Sequence, residues 1–147
     1  EVPVVIQDVS DDTALEMADG SLASLSVTTG SSQEISRHRF CFSNLSAESN
    51  SAPYTNMADP WIFTGDSPEA QAAIESALHS FTPQTEGFAG QFERYARAMR
   101  SGGQLPVTLQ DARNAIELVT AIYASARSGQ AVELPLSPGH ELYGGWF

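Results

Sequence analysis

The sequence predicts an α+β fold: an open, mostly antiparallel β-sheet with helices packed on one face. Three observations predict it. The first third holds short apolar and β-branched runs separated by turn residues. The second half holds two long segments with a helical apolar period. The two kinds of segment follow one another instead of alternating, which argues against a parallel sheet with crossover helices.

Val2–Val9 is rich in β-branched residues and reads as the first strand. Thr13–Ala18 and Leu22–Thr28 flank Asp19-Gly20, a hairpin signal because tight turns need positive φ. A simple two-residue turn puts Leu15, Met17 and Leu22 on one face and Leu25 and Val27 on the other. Neither face is then cleanly polar, so either a bulge shifts the register or both faces are partly covered. Glu34–Ser43 is a further strand, with His38, Phe40 and Phe42 on one side and Arg37, Arg39 and Cys41 on the other. Leu45–Glu48 continues it or begins a return strand. Ser49–Asp66 reads as a long loop with one extended piece at Trp61–Thr64. Its many large apolar side chains set it apart from a linker.

Ser67-Pro68 has the form of an N-cap followed by proline at the first helical position, predicting a helix to about His79. A turn around Pro83 precedes the next helix, which starts near Glu86–Gly87. Phe88, Phe92, Tyr95, Ala96 and Met99 make one apolar stripe along it, and Gly102-Gly103 stops it. Thr108 and Asp111 form a shortened capping box for the last helix. Ala112, Ala115, Ile116, Val119, Ile122, Tyr123 and Ala126 trace its expected buried face, and Gly129 its C-cap. Both amphipathic helices bury one stripe and need a sheet beneath them. Val132–Leu136 is the last strand, and an aromatic tail runs to Trp146.

The 147 residues are long enough for one domain with a core, expected over 1–147. The net charge is −11; all seven basic residues are arginines, and the chain contains no lysine. Such acidity repels phosphate backbones and anionic membrane surfaces, so neither nucleic acid nor membrane is an expected partner. No window approaches the roughly 18 apolar residues of a membrane span. The first residue is Glu1 instead of Met, which points to a processed chain or a piece of a longer one. Cys41 is the single cysteine, in the apolar run Phe40–Phe42, and is expected to be a buried structural thiol. One cysteine fits a reducing cytoplasm.

The chemistry-bearing patterns are few. There is no G-x-G-x-x-G to cradle a dinucleotide, and Gly102-Gly103 follows a helix instead of opening one. His38, His79 and His140 lie too far apart in sequence for a metal-ligand motif, so no metal is expected. No Gly-x-Ser-x-Gly elbow is present. Asp8, Asp11 and Asp12 form a small acidic cluster, read as a solvated strand entry ahead of any general-base role. Arg37-His38-Arg39 is the densest cationic group. It fits contact with an anionic or hydroxylated ligand or a subunit-interface ion-pair network. It also fits sheet-face arginines balancing nearby acids. Asp59-Pro60-Trp61-Ile62-Phe63 could line a pocket or plug a core. The candidates for a substrate-side or interface surface are therefore Arg37, His38, Arg39 and Trp61.

Leu105-Pro106-Val107-Thr108, Asp111-Ala112-Arg113, the run Ile116 to Ala126, Gly129 and Val132-Glu133-Leu134-Pro135 together resemble the C-terminal domain of the glucose–fructose oxidoreductase / inositol dehydrogenase (Gfo/Idh/MocA) family. Gly87-Phe88, Gln91-Phe92 and the Asp19-Gly20 hairpin agree in kind and order. The resemblance implies a parent with an N-terminal dinucleotide-binding domain, absent from this chain, that carries NAD or NADP and a catalytic lysine. It also implies sugar, polyol or related hydroxylated substrates and a homo-oligomer made through the sheet face. Without a lysine, a glycine fingerprint or a histidine in a matching motif, this chain takes over no catalytic or cofactor-binding residue. It is expected to be inactive alone. The rival expectations are a self-standing oligomerisation or interaction module and a small-ligand binding domain.

Overall fold

The computed structural model describes residues 4–9, 12–28 and 31–145. Among them are three helices and two small antiparallel sheets, a mixed α+β architecture. The strands do not form one open sheet: they divide between two compact units, Glu1–Gly30 with Val107–Phe147, and Ser31–Pro106.

The first unit contains β1 (Val4–Val9), β2 (Asp12–Glu16), β3 (Leu22–Ser26), the helix α3 (Leu109–Ser128) and β7 (Val132–Leu134). The sheet order is β3-β2-β1-β7, with α3 packed on β1 and β7. Between β2 and β3, Met17 and Ser21 enclose a three-residue loop, closed by the Met17 N–H donating to Ser21 O at 2.8 Å and the Gly20 N–H donating to Met17 O at 2.9 Å. Gly20 sits at φ +83, where glycine is strain-free. This shifts the register by one from a two-residue turn. Leu15 faces Ala23 and Thr13 faces Leu25, so these four share a face, while Leu22 pairs with Glu16 on the other. Leu15 is buried with Ala121 and Leu136, and Leu118, Ile122, Val132 and Leu134 pack around them.

α3 carries the full capping box: the Thr108 hydroxyl accepts the Asp111 N–H, and the Asp111 carboxylate accepts the Thr108 N–H at 2.7 Å. Its buried face differs from the one expected. Thr120, Ala121, Ala124 and Ser125 are buried, whereas Ile116 (64%), Val119 and Tyr123 are exposed. Of the expected face, Ile122 packs on the core, while Ala112, Ala115 and Ala126 are exposed. The helix is apolar on two sides, so periodicity alone could not choose between them. Small side chains let the backbone approach the sheet closely. The Thr120 hydroxyl is satisfied by donating to Ile116 O at 2.8 Å.

The second unit contains β4 (Arg39–Cys41), β5 (Leu45–Glu48), β6 (Ile62–Gly65), α1 (Pro68–Ser80) and α2 (Gly87–Ser101). β4-β5-β6 is an antiparallel meander, so Leu45–Glu48 is a return strand. The expected strand Glu34–Ser43 shortens to three residues, although the Ser49 N–H still donates to His38 O at 2.9 Å. The Ser67 hydroxyl caps α1, which packs on β6. Gln71 folds back so that its Oε1 accepts the Gly65 N–H at 3.0 Å. α2 buries only Gly90 and Ala98; Phe88 (79%), Phe92, Tyr95 and Met99 are exposed. The expected sheet beneath that stripe is not found among the described residues.

Candidate functional site

The four sequence candidates come together on the second unit, around the β4–β5–β6 meander. Register sets their arrangement. Arg39 lies opposite Glu48, and Phe40 and Phe63 both lie opposite Ala47, so the two rings share one face with a small buried residue between them. Trp61, two residues before Phe63, falls on the same side. Its ring centroid is 6.2 Å from those of both Phe40 and Phe63, at interplanar angles of 16° and 23°. The three rings form a near-parallel row. Such pairs add about 0.5–1.5 kcal/mol each beyond their burial.

Trp61 Nε1–H donates to Met57 O at 2.9 Å, fixing the indole against the preceding loop. Asn50 staples that loop from within: its Nδ2 donates to Ala58 O at 2.6 Å, and its Oδ1 accepts the Ala52 N–H at 2.8 Å. Trp61 is half-buried, and Phe40 stays 48% exposed, so one end of the row is open to solvent. Asp59–Phe63 divides between two surroundings. Trp61 and Phe63 stack in the half-buried ring row, while Asp59 and Pro60 line a groove of about 730 Å³ with Gln33, Glu34, Asn50 and Thr55. None of Arg37, His38, Arg39 and Trp61 lines that groove.

Arg37 and Arg39 share one acid. Arg37 Nη1 is 3.5 Å from Glu48 Oε1, and Arg39 Nε is 3.8 Å from Glu48 Oε2. Both guanidiniums are largely exposed, so the pairs contribute about 0–1 kcal/mol each to stability. One carboxylate between two cations leaves this spot at net +1, with donors facing solvent. His38 turns the other way. Its backbone N–H donates to Ser49 Oγ at 2.9 Å, and Asn56 Nδ2 lies 2.9 Å from its Nδ1. With the Asn56 amide nitrogen donating, Nδ1 is the acceptor, and the ring proton of the neutral form sits on Nε2. Asn56 is buried, so this orientation is held by a fixed partner.

Sequence reasoning missed Glu48, Ser49 and Asn56, the three residues that orient the Arg-His-Arg segment. Only the return-strand register brings them to it, and polar residues in a Ser- and Asn-rich loop carry no periodic signal. Cys41 is exposed, contrary to the buried thiol expected. It lies on a three-residue edge strand, on the Arg39 side, which no described layer covers. Asp11 and Trp146 lie outside the described residues. No group of three or more His, Cys, Asp or Glu is placed to hold a metal ion among the described residues. No described helix is long and apolar enough to cross a membrane.

No family model matches the chain, and neither a curated protein nor a solved structure matches it.

A pyrophosphate site needs free N–H groups at a helix start, reached by a glycine-rich turn. At α1 the Ser67 hydroxyl takes the Ala70 N–H, and Pro68 offers none. At α3 the Asp111 carboxylate occupies the turn and would repel a phosphate. At α2 the N-cap residue is Glu86, itself an acid. Among the described residues, none of the three helix starts fits a nicotinamide dinucleotide.

Proposed function

We propose that this chain is the substrate-side and oligomerisation domain of a cytoplasmic NAD(P)-dependent oxidoreductase. The parent acts on CH–OH groups of a sugar, polyol or related small hydroxy compound. The observation that carries the reading is the Phe40–Trp61–Phe63 ring row with His38 on the same side of the sheet. Ring faces accept the C–H side of a polyhydroxylated molecule, and the histidine N–H on the same side of the sheet matches one of its oxygens; the Arg37 and Arg39 guanidiniums lie on the opposite face. The order of capped helix, glycine stop, apolar strand and aromatic tail supports the same reading.

On this reading the chain binds and orients substrate. NAD or NADP and the hydride step belong to another part of the parent, because the helix starts here do not fit the dinucleotide. Self-association is proposed through the four-stranded sheet, whose β3 side exposes Leu22, Leu25 and Val27. Titration tests the reading: a polyol or monosaccharide should perturb Trp61 saturably, and NADH fluorescence should not change on adding the chain. Saturable micromolar NADH binding would refute it. A self-standing interaction module is the second reading, favoured by the exposed α2 stripe from Phe88 to Met99.

A further inference from the structure

α2 carries Arg94, Arg97 and Arg100, three of the seven basic residues in an acidic chain. Arg94 and Arg97, one helical turn apart, line a concavity of about 240 Å³ together with Gln84, Thr85 and Glu93. Gly90 shapes it. A β-carbon there would collide with the Thr85 carbonyl, and it would stand 3.4 Å from Arg94 Nη1. The missing side chain lets the turn before α2 lie against the helix and lets the Arg94 guanidinium fold over the same spot.

Most other arginines have a partner. Arg37 and Arg39 share Glu48, and Arg113 lies over the Tyr143 ring at 6.0 Å. Arg94 and Arg97 make no ion pair among the described residues, although Glu93 is their neighbour. Two guanidiniums on one polar wall repel each other, and an anion shared between them relieves that repulsion. Their planar forks match the paired oxygens of a carboxylate or phosphate. The Gln84 amide and Thr85 hydroxyl add neutral donors.

We propose that the Arg94–Arg97 concavity is an oxyanion site, taking the phosphate or carboxylate group of a small molecule. It uses none of the residues of the ring row and does not depend on the oxidoreductase reading. Glu93 holds the lining at net +1 and weakens binding of any anion.

The test is calorimetric titration of the full chain with inorganic phosphate and, separately, with malonate, at constant ionic strength set with chloride. Saturable binding of either probe is expected. Phosphate alone identifies a phosphate ligand, and malonate alone a carboxylate. Arg94→Gln or Arg97→Gln should weaken binding about tenfold, the loss of one charge-assisted contact. Arg100→Gln, on the same helix but outside the concavity, should leave it unchanged, and Glu93→Gln should tighten it. Helicity of each variant is checked by circular dichroism; should an arginine variant lose helix, the Glu93→Gln arm decides. Equal weakening by Arg100→Gln and Arg94→Gln, or no saturable binding of either probe, would overturn the proposal.

Discussion

Glu117 on α3 accepts the backbone N–H of Leu136 through Oε1 at 2.8 Å, tying the helix to the chain just beyond β7. β7 ends at Leu134, and Pro135 has no N–H, so Leu136 carries the next donor after the ladder stops. Leu136 is buried, and a donor left there without an acceptor costs about 1–3 kcal/mol. Glu117→Ala should therefore lower unfolding stability by about that amount. Glu117→Gln, which keeps an oxygen acceptor, should cost well under half as much. Urea denaturation of the two variants checks this; equal losses would mean the hydrogen bond contributes nothing.

Gly20 tests the turn conformation. At φ +83 a β-carbon meets no neighbouring atom, so the effect of Gly20→Ala isolates backbone strain, about 1 kcal/mol. Gly20→Asn should cost less, because asparagine tolerates this conformation better. If alanine and asparagine proved equally benign by thermal melting, the left-handed conformation at Gly20 would be wrong.

Two carboxylates make stability depend on pH in the acid range. The Thr108 hydroxyl first, then the Thr108 N–H, holds Asp111 below its ordinary range; the Ser21 hydroxyl and N–H do the same for Asp19. A depressed folded pKa contributes stability that is present above the unfolded value. That stability is lost as pH falls through the folded value, here below about pH 4. Asp111→Asn and Asp19→Asn should each flatten the stability profile below about pH 4. A variant profile parallel to the parent's would contradict the assignment. Thr108→Ala, which removes the cap acceptor, should cost about 1 kcal/mol.

Much of the fold is legible in the sequence because its signals are local. Ser67-Pro68, Thr108 with Asp111, and Gly102 and Gly129 mark helix ends by chemistry within one turn, and the helices begin and end there. The faces were not legible. Leu22 sits opposite Glu16 instead of beside Leu15, because one extra loop residue inverts a period of two. Ile116 and Tyr123 lie outward because α3 is apolar on two sides, and the small side, Ala121 and Ala124, fits the sheet. The candidate site was half legible. Arg37, His38, Arg39 and Trp61 announce themselves by residue type, whereas Glu48 and Asn56, which hold them, are distant in sequence and ordinary in kind.

The β3 edge bears on self-association. No charge occurs from Gly20 to Gln33, and Leu22 is 81% exposed on a strand whose outer edge is unpaired among the described residues. Natural edges are commonly guarded by charge or proline, and this one is not. The chain should self-associate at high micromolar concentration, and Leu22→Lys should return it to monomer. Light scattering reads both; a parent chain that stays strictly monomeric at that concentration would rule this contact out.

The central claim is that the sheet around Trp61 receives a hydroxylated substrate while the dinucleotide binds elsewhere. Two-dimensional ¹H–¹⁵N NMR of the full chain, titrated with a panel of monosaccharides and polyols and then with NADH, tests it most directly. The account expects at least one polyol to shift the Trp61 indole and the amides of Arg37, His38 and Arg39 saturably, with those shifts lost in Trp61→Ala and NADH shifting none of them. Saturable NADH shifts with no response to any polyol would contradict it.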